Sequence, residues 1–336
     1  MAELAVALAL INQGGKTLLG KRASSAHAGG KFEFIGGKVE AGETPQVALA
    51  RECVEELGVS VSEVKTACKL RFSYPDRSVR LHVFWAKLDE ENPRPLGTES
   101  LQWVDLSQLN QLPMPAANTV IKKVAELPKT YCITPDLAHE AAKKEQKSKG
   151  NLNPNQHEAS ELDQWLKDRL SLPINSLVYV RLKNQSLDCY VWLYEQLARR
   201  RPDLKLVCEY RAWSRLSSLC FAAHISSREL ASTDQLPQSP ESNVLWFASV
   251  HSKDQIAQAN QLGVHAVTLS PIKTTPTHPE ATTLGWQRAK QLAELCQCTV
   301  YALGGLRPED LEHCAGGNFY GVAGIRHFNQ NLRNDA

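Results

Sequence analysis

Gly37-Lys38-Val39-Glu40-Ala41-Gly42-Glu43-Thr44-Pro45-Gln46-Val47-Ala48-Leu49-Ala50-Arg51-Glu52-Cys53-Val54-Glu55-Glu56-Leu57-Gly58-Val59 is the stretch from which the rest of the chain is read. Thr44 suits an N-cap, Pro45 a first helical position and Gly58 the residue just past a helix, so the spacing predicts a helix between them. Glu52, Glu55 and Glu56 then stand at i, i+3 and i+4 and project from one face. Val47, Ala50, Val54 and Leu57 are expected on the opposite face, packed on a sheet. Like charges at this spacing repel by roughly 0.2–0.5 kcal/mol per pair. A divalent cation would turn that repulsion into attraction, and an all-oxygen donor set favours Mg²⁺, with Mn²⁺ as the alternative. A solvated acidic helix would explain the glutamates but not the flanking glycines and Arg51.

Around this helix the pattern is mixed. Residues 4–11 and 17–21 read as strands separated by a turn at Asn12-Gln13-Gly14-Gly15; residues 79–83 alternate as a half-buried strand does; 101–104 is a short strand and 117–127 a helix. From Thr130 the rhythm changes. Apolar runs at 131–134, 177–180, 204–208, 219–223, 244–250, 266–269, 299–303 and 319–322 alternate with mostly helical segments, as in a (β/α)8 barrel. The expected division is 1–127, an α+β domain with a mixed sheet between helices, and 128–336, a TIM barrel. The polar tract 138–162 is expected to be a solvated helix and loop in the first crossover.

A formal charge of +2 is too small to argue for a nucleic-acid or membrane partner, and the apolar run 4–11 is too short to span a bilayer and lacks the flanks of a signal peptide. Nine cysteines show no paired metal spacing, and the lone Cys296-Gln297-Cys298 reads as packing. A reduced, cytoplasmic protein is expected.

The helix and its flanks match in spacing the signature G-x5-E-x7-R-E-U-x-E-E-x-G-U, and the segment resembles the Nudix family. Its one departure is Cys53, a small hydrophobe where a bulky aliphatic is usual. The resemblance implies that Glu43 and Arg51 brace the loop and helix. It assigns metal binding to Glu52, Glu55 and Glu56, with the carbonyl of Gly37 completing the site. Gly20-Lys21-Arg22, Ala26-His27, Lys31-Phe32-Glu33-Phe34, Tyr74-Pro75-Asp76-Arg77 and Pro115-Ala116-Ala117-Asn118 are similar to segments of the MutT branch in the same order. That branch hydrolyses oxidised purine nucleoside triphosphates such as 8-oxo-dGTP to the monophosphate and pyrophosphate, which keeps the nucleotide pool clean for DNA replication and serves DNA repair. By this similarity Asn118 reads the base edge, Phe34 lines its pocket, Arg22 meets a phosphate and His27 belongs to the substrate loop. Glu99 resembles a further metal-binding carboxylate, and either Glu52 or Glu99 is the general base. From the residues alone, Asn118 could equally cap its helix, Phe34 belong to the core and His27 lie on a surface loop. Ile35 replaces a proline common before the Gly-Gly.

Two glycine motifs, Ala302-Leu303-Gly304-Gly305 and Gly321-Val322-Ala323-Gly324-Ile325-Arg326, stand after the seventh and eighth barrel strands, where such barrels often bind phosphate. With Tyr131-Cys132-Ile133-Thr134, Val180-Arg181-Leu182-Lys183, Ser249-Val250-His251 and Thr275-Pro276-Thr277-His278, they resemble thiamine phosphate synthase and its TenI relatives. The resemblance assigns a phosphorylated ligand to Arg181, Lys183, Thr275, Thr277, Gly304, Gly305, Ile325 and Arg326. Several positions depart from it. Tyr179 stands for a Gln, Glu209-Tyr210-Arg211 for Asn-Asp-Arg, His278 for a Lys, Phe221 for a metal-binding Asp before His224, and Glu229 for the second metal carboxylate. A catalytically degenerate barrel is expected. The principal reading is a nucleoside triphosphate hydrolase. Its alternatives are a bifunctional protein with synthase activity and a hydrolase regulated by a ligand in the barrel.

Overall fold

The computed structural model describes residues 4–22, 30–73, 78–137, 154–237, 244–274, 282–315 and 317–329. The N-terminal sheet is built on β1 (Leu4–Gln13), which turns at Gly14 and Gly15 into β2 (Lys16–Lys21). β3 (Phe32–Glu33), β4 (Ile35–Lys38), β5 (Val61–Ser73), β6 (Ser78–Leu88) and β7 (Ser100–Asp105) complete it. β1 pairs in parallel with β6 and antiparallel with β4, and β7 joins β2. Because alternate side chains point to opposite faces, β1 serves two cores. Ala7, Ala9 and Ile11 face the helix α1 (Pro45–Leu57), where Ala48, Leu49, Cys53 and Leu57 are buried. Leu8 and Leu10 face the helix α2 (Asn118–Ala125).

α1 begins and ends as expected. The Thr44 hydroxyl accepts from Val47 N at 3.3 Å, and Gly58 adopts the left-handed conformation. The packing face differs from the expected one. Val47 and Val54 are 55% and 50% exposed, and Ala50 is exposed too. The buried line runs Leu49, Cys53, Leu57 at i, i+4 and i+8, so Cys53 packs where the family has a larger aliphatic. Glu52 and Glu56 therefore flank the buried face, and Glu55 looks outward.

The second half is a closed, eight-stranded parallel barrel. Its strands are β8 (Thr130–Ile133), β9 (Leu177–Tyr179), β10 (Lys205–Glu209), β11 (Ala222–Ile225), β12 (Leu245–Val250), β13 (Ala266–Leu269), β14 (Thr299–Leu303) and β15 (Gly321–Gly324). Between them run α3 (Pro154–Leu170), α4 (Leu187–Arg200), α5 (Trp213–Leu216), α6 (Ser227–Ala231), α7 (Lys253–Leu262) and α8 (Gly285–Ala293). Every expected strand is present. The fourth begins later than expected because Leu219 and Cys220 close the turn after α5, their N–H groups donating to Leu216 O. Of the polar tract 138–162, residues 138–153 lie outside the described residues, and the helix beyond them continues to bury Trp165 and Leu166.

One hydrophobic cluster joins the two halves. It contains Leu81, Trp85, Ile121 and Val124 from the N-terminal domain, and Leu177, Ala222, Leu245 and Ala266 from the first positions of barrel strands. The barrel thus rests on the N-terminal domain by the N-terminal ends of its strands. Polar contacts fix the seating. Thr299 Oγ1 donates to Ala67 O at 2.8 Å and accepts from Trp85 Nε1 at 3.3 Å. Lys65 Nζ donates to the carbonyls of Cys314 and Phe319, Thr66 N donates to Asn318, and Trp85 stacks on Tyr320 with ring centroids 4.2 Å apart.

Candidate active site

The loop from Gly36 to Glu43 and the helix α1 are held together by one guanidinium. Arg51 Nη2 reaches Glu43 Oε1 at 2.9 Å and the carbonyl of Lys38 at 3.0 Å, while Nε donates to Glu43 Oε2 at 3.4 Å. Its Nη1 contacts Glu52 at 3.0 Å and Glu55 at 3.1 Å. Glu43 also accepts from Glu40 N at 2.7 Å, and these bonds, Arg51 first, hold its carboxyl below the usual range. A forked donor is required here, since three carboxylates and a carbonyl surround one side chain.

Glu56 is bound differently. Gly36 N donates to its Oε2 at 3.2 Å. Burial pushes the Glu56 carboxyl up to about 7, and the charges of Glu33 and Glu52 push the same way, against the Gly36 bond and Arg22. The segment ahead of β7 closes over α1, with Arg94 N donating to Leu57 O and Leu96 N to Glu56 O. The two glycines of the loop do different work. A Cβ on Gly36, whose φ is 136°, would lie 2.1 Å from the Ala7 carbonyl oxygen; one on Gly37 would lie 2.2 Å from Glu52 Oε1. Gly36 lets the loop lie against β1, and Gly37 leaves the space in which the Glu52 carboxylate sits.

Among the described residues no three acidic, His or Cys side chains converge on a common point. Arg51 holds Glu52 and Glu55 by ion pairs, while Gly36 N holds Glu56. The donor set nonetheless fits a hard divalent cation. It is all oxygen, it includes a carboxyl whose charged form burial and two neighbouring carboxylates disfavour, and the missing Cβ of Gly37 leaves room for the Glu52 carboxylate.

The other expected residues fall as follows. Arg22 follows β2, and its Nη1 lies 2.7 Å from Glu33 Oε2. Glu99 is exposed just before β7, its N–H donating to Lys21 O at 2.9 Å, so it stands beside the Arg22 end of β2. Phe34 is 1% exposed within the cluster shared with α2 and the barrel. Asn118 is buried as the first residue of α2; the N-cap is Ala117, and no side chain caps the helix. His27 and the segment 74–77 lie outside the described residues. Glu33 is the residue that sequence reasoning passed over. The available signal was its acidic side chain between Phe32 and Phe34.

In the barrel, Arg181 N donates to Thr134 Oγ1 at 2.9 Å. Arg181 lies near enough to Lys183 to lower the pKa of its amine. The Glu209 carboxylate accepts from Leu182 N at 2.8 Å and from Arg211 Nε at 2.6 Å. Glu229 is occupied in a capping box with Ser226. Tyr179 stacks on His224 inside the barrel, with ring centroids 4.4 Å apart. His224 also contacts Tyr131 OH at 3.1 Å and Ser249 Oγ at 2.8 Å, and burial pushes its pKa down to about 3. The expectation for Phe221 is corrected. It precedes β11 at the end facing the N-terminal domain, under Lys123 and Lys205, so it cannot replace a ligand at the barrel mouth. Gly304 and Gly305 have φ of 111° and 66°, and a Cβ on either would run into Pro271 or the Thr274 carbonyl. A Cβ on Gly324 would meet the Phe328 ring, and Ile325 and Arg326 follow it at the mouth. Thr275, Thr277 and His278 lie outside the described residues.

Residues 6–123 match the NUDIX domain, and residues 157–328 match thiamine monophosphate synthase. An 8-oxo-dGTP diphosphatase of Escherichia coli (strain K12) is 37% identical over 131 residues, which is 38% of this chain and 100% of that protein. The chain belongs to the Nudix and thiamine monophosphate synthase families. A protein of Aquifex aeolicus (strain VF5), provisionally named thiamine-phosphate synthase 2, is 40% identical over 80 residues, 24% of this chain; the chain spans 43% of that relative's length. The MutT NUDIX hydrolase structure from Burkholderia pseudomallei shares 26% identity, covering 37% of this chain and 98% of its own, with a TM-score of 0.34. Nudix hydrolases generally need a divalent cation. Among the described residues no helix is long and apolar enough to cross a membrane.

Proposed function

We propose that the N-terminal domain, residues 1–127, is a Mg²⁺-dependent hydrolase that splits 8-oxo-dGTP into 8-oxo-dGMP and pyrophosphate. The observation that carries this reading is the single guanidinium of Arg51 tying Glu43, Glu52 and Glu55 together beside the buried Glu56. Glu52, Glu55, Glu56 and the Gly37 carbonyl would hold the cation, with Glu99 as a further ligand. Bound there, Mg²⁺ supplies neutralisation of the polyphosphate and acidification of the attacking water. Arg22 presents its guanidinium to a phosphate. Glu52 or Glu99 takes the proton from the water that attacks a bridging-phosphate phosphorus, and the products are 8-oxo-dGMP and pyrophosphate. Asn118 would read the base edge and Phe34 would line its pocket; both are buried. His27 would complete the substrate loop.

For the barrel, residues 128–336, we propose no synthase chemistry. The contacts of its acidic residues support this. Glu209 is satisfied by Arg211 and a backbone N–H, and Glu229 caps a helix, so the acidic residues present do not fit a pyrophosphate-bound metal. Arg181, Lys183, Gly304, Gly305, Ile325 and Arg326 remain as places for a phosphorylated ligand. The test is pyrophosphate release with Mg²⁺ across 8-oxo-dGTP, dGTP, other triphosphates, ADP-ribose and dinucleotides, with Glu56→Gln as control. Preference for 8-oxo-dGTP, lost in the variant, supports the reading; turnover of ADP-ribose or a dinucleotide moves the substrate class; no turnover of any compound overturns it.

A further inference from the structure

Arg22 is expected to meet a phosphate, and it stands just beyond the end of β2. Free rotamers of an arginine cost roughly 2 kcal/mol to immobilise, so a productive Arg22 needs a holder. The holder is on the neighbouring strand. β3 pairs antiparallel with β2, in register Gly20↔Glu33 and Lys21↔Phe32. Arg22 is therefore the next residue beyond the paired ladder, and its backbone N–H donates to Lys31 O at 3.0 Å. Glu33 Oε2 accepts from Arg22 Nη1 at 2.7 Å, short and charge-assisted. The pair is only partly open to water, with 35% of the Arg22 side chain and 23% of the Glu33 side chain exposed. Arg22 Nε has no partner among the described residues, so Nη1 is the atom by which the guanidinium is anchored. Both charges are felt at Glu56 on the metal-holding helix, where Glu33 raises and Arg22 lowers the carboxyl's pKa.

We infer that Glu33 is a positioning residue: it aims the guanidinium of Arg22 at the substrate's polyphosphate beside Glu56. A carboxylate that acts on Glu56 is otherwise a liability for a polyanionic substrate. Its cost is offset only because Arg22 neutralises it and is held in return. A neutral acceptor in the same place would hold Arg22 less tightly but still in the same direction.

This inference rests on the proposed binding of a nucleoside triphosphate, so its test uses binding as well as turnover. The full chain is titrated with a non-hydrolysable 2′-deoxyguanosine triphosphate analogue and Mg²⁺ by calorimetry, and KM and kcat for 8-oxo-dGTP are measured alongside. The set is wild type, Glu33→Ala, Glu33→Gln, Arg22→Ala and Glu33→Ala with Arg22→Ala. The expected result is about tenfold weaker binding and higher KM for Glu33→Ala, about 1.4 kcal/mol. kcat should stay within about threefold, because the metal-holding carboxylates are untouched. Glu33→Gln keeps an acceptor oxygen and should recover most of the loss. In the double variant Glu33→Ala should cause no further loss beyond that of Arg22→Ala. An independent loss in the Arg22→Ala background would overturn the inference, as would Glu33→Gln binding no better than Glu33→Ala. Thermal unfolding of each variant separates misfolding from misplacement, and Glu33→Gln decides the matter if Glu33→Ala does not fold. If the wild type binds the analogue but hydrolyses nothing, the hydrolase reading fails while the positioning role stands. If it does not bind the analogue at all, both fail.

Discussion

Replacing two adjacent glycines by alanine should separate stability from activity, because the atoms each new methyl meets are of different kinds. At Gly36 the methyl would lie 2.1 Å from a backbone oxygen of the central strand, and φ is 136°. Strain of about 1–3 kcal/mol and overpacking of similar size add up, and neither can relax without parting β4 from β1. Gly36→Ala should therefore lose roughly 3 kcal/mol or more and unfold several degrees earlier. At Gly37 no left-handed φ is involved, and the three nearest atoms are Glu52 Oε1, Cδ and Oε2 at 2.2, 2.3 and 2.5 Å. All three sit at the end of a side chain that can turn away for about 1 kcal/mol. The turn takes the carboxylate off Arg51 and out of the metal-holding position. A misplacement of about 1 Å at such a group costs on the order of a hundredfold in rate. Gly37→Ala should thus keep its unfolding temperature within about 2 °C while kcat/KM for 8-oxo-dGTP falls about a hundredfold, or roughly 2.7 kcal/mol. Circular-dichroism melts and pyrophosphate release measure the two effects. Wild-type turnover in Gly37→Ala, or a melt as early as that of Gly36→Ala, would refute the reasoning.

Arg51→Lys keeps the charge but not the fork that serves Glu43, Glu52, Glu55 and the Lys38 carbonyl; activity should fall at least tenfold, and rates restored by raising Mg²⁺ would show that only metal affinity was lost. Trp85→Ala removes the ring stacked on Tyr320 and bonded to Thr299; it should destabilise by about 3–5 kcal/mol and shift one common transition of both halves, whereas two separate melts would contradict a shared core. His224 and His265 are buried, with burial pushing their pKa values down to about 3 and about 4, so each is neutral in the native state and takes up a proton on unfolding. Their contribution is complete above pH about 6.5 and is lost as pH falls from there towards 4. Between pH 5.5 and 4.5 the two together should cost about 2–3 kcal/mol per pH unit, read from urea midpoints after subtracting a reference that carries both His224→Gln and His265→Gln; a difference independent of pH in that window would exclude it.

How legible the sequence was depends on whether a feature is local. The helix α1 announced itself through Thr44, Pro45 and Gly58, and its three glutamates through their spacing. The barrel was visible as eight apolar runs because parallel strands are buried on both faces. Two errors share a cause. Val47, Ala50 and Val54 were placed inward because they are apolar, but the period alone does not say which of two apolar lines meets the sheet; Cys53 completes the one that does. Phe221 was aligned to a metal ligand by its distance from His224, although it precedes β11 at the end of the barrel that faces the N-terminal domain. Glu33 was passed over because its partner, Arg22, is close only through the β2–β3 pairing.

The docking of the two halves was not legible at all, since it depends on side chains such as Thr299 and Trp85 that are unremarkable in sequence, yet it bears on the alternative in which the barrel regulates the hydrolase. The barrel meets the N-terminal domain at the N-terminal ends of its strands, so Gly304, Gly305 and Arg181 open at the other end. A ligand bound there would stabilise both halves together, because they share a hydrophobic cluster, and the gain would grow with ligand concentration. Stabilisation is not regulation. Hydrolysis changes only if the ligand distinguishes two arrangements of the glutamate helix. That helix packs on the face of β1 opposite the one carrying α2 and the barrel, and Arg51 and Gly36 fix it from its own side. The architecture thus couples the two halves in folding while leaving the glutamate face outside the contact, and inorganic phosphate that raises the melting temperature should leave kcat for 8-oxo-dGTP unchanged.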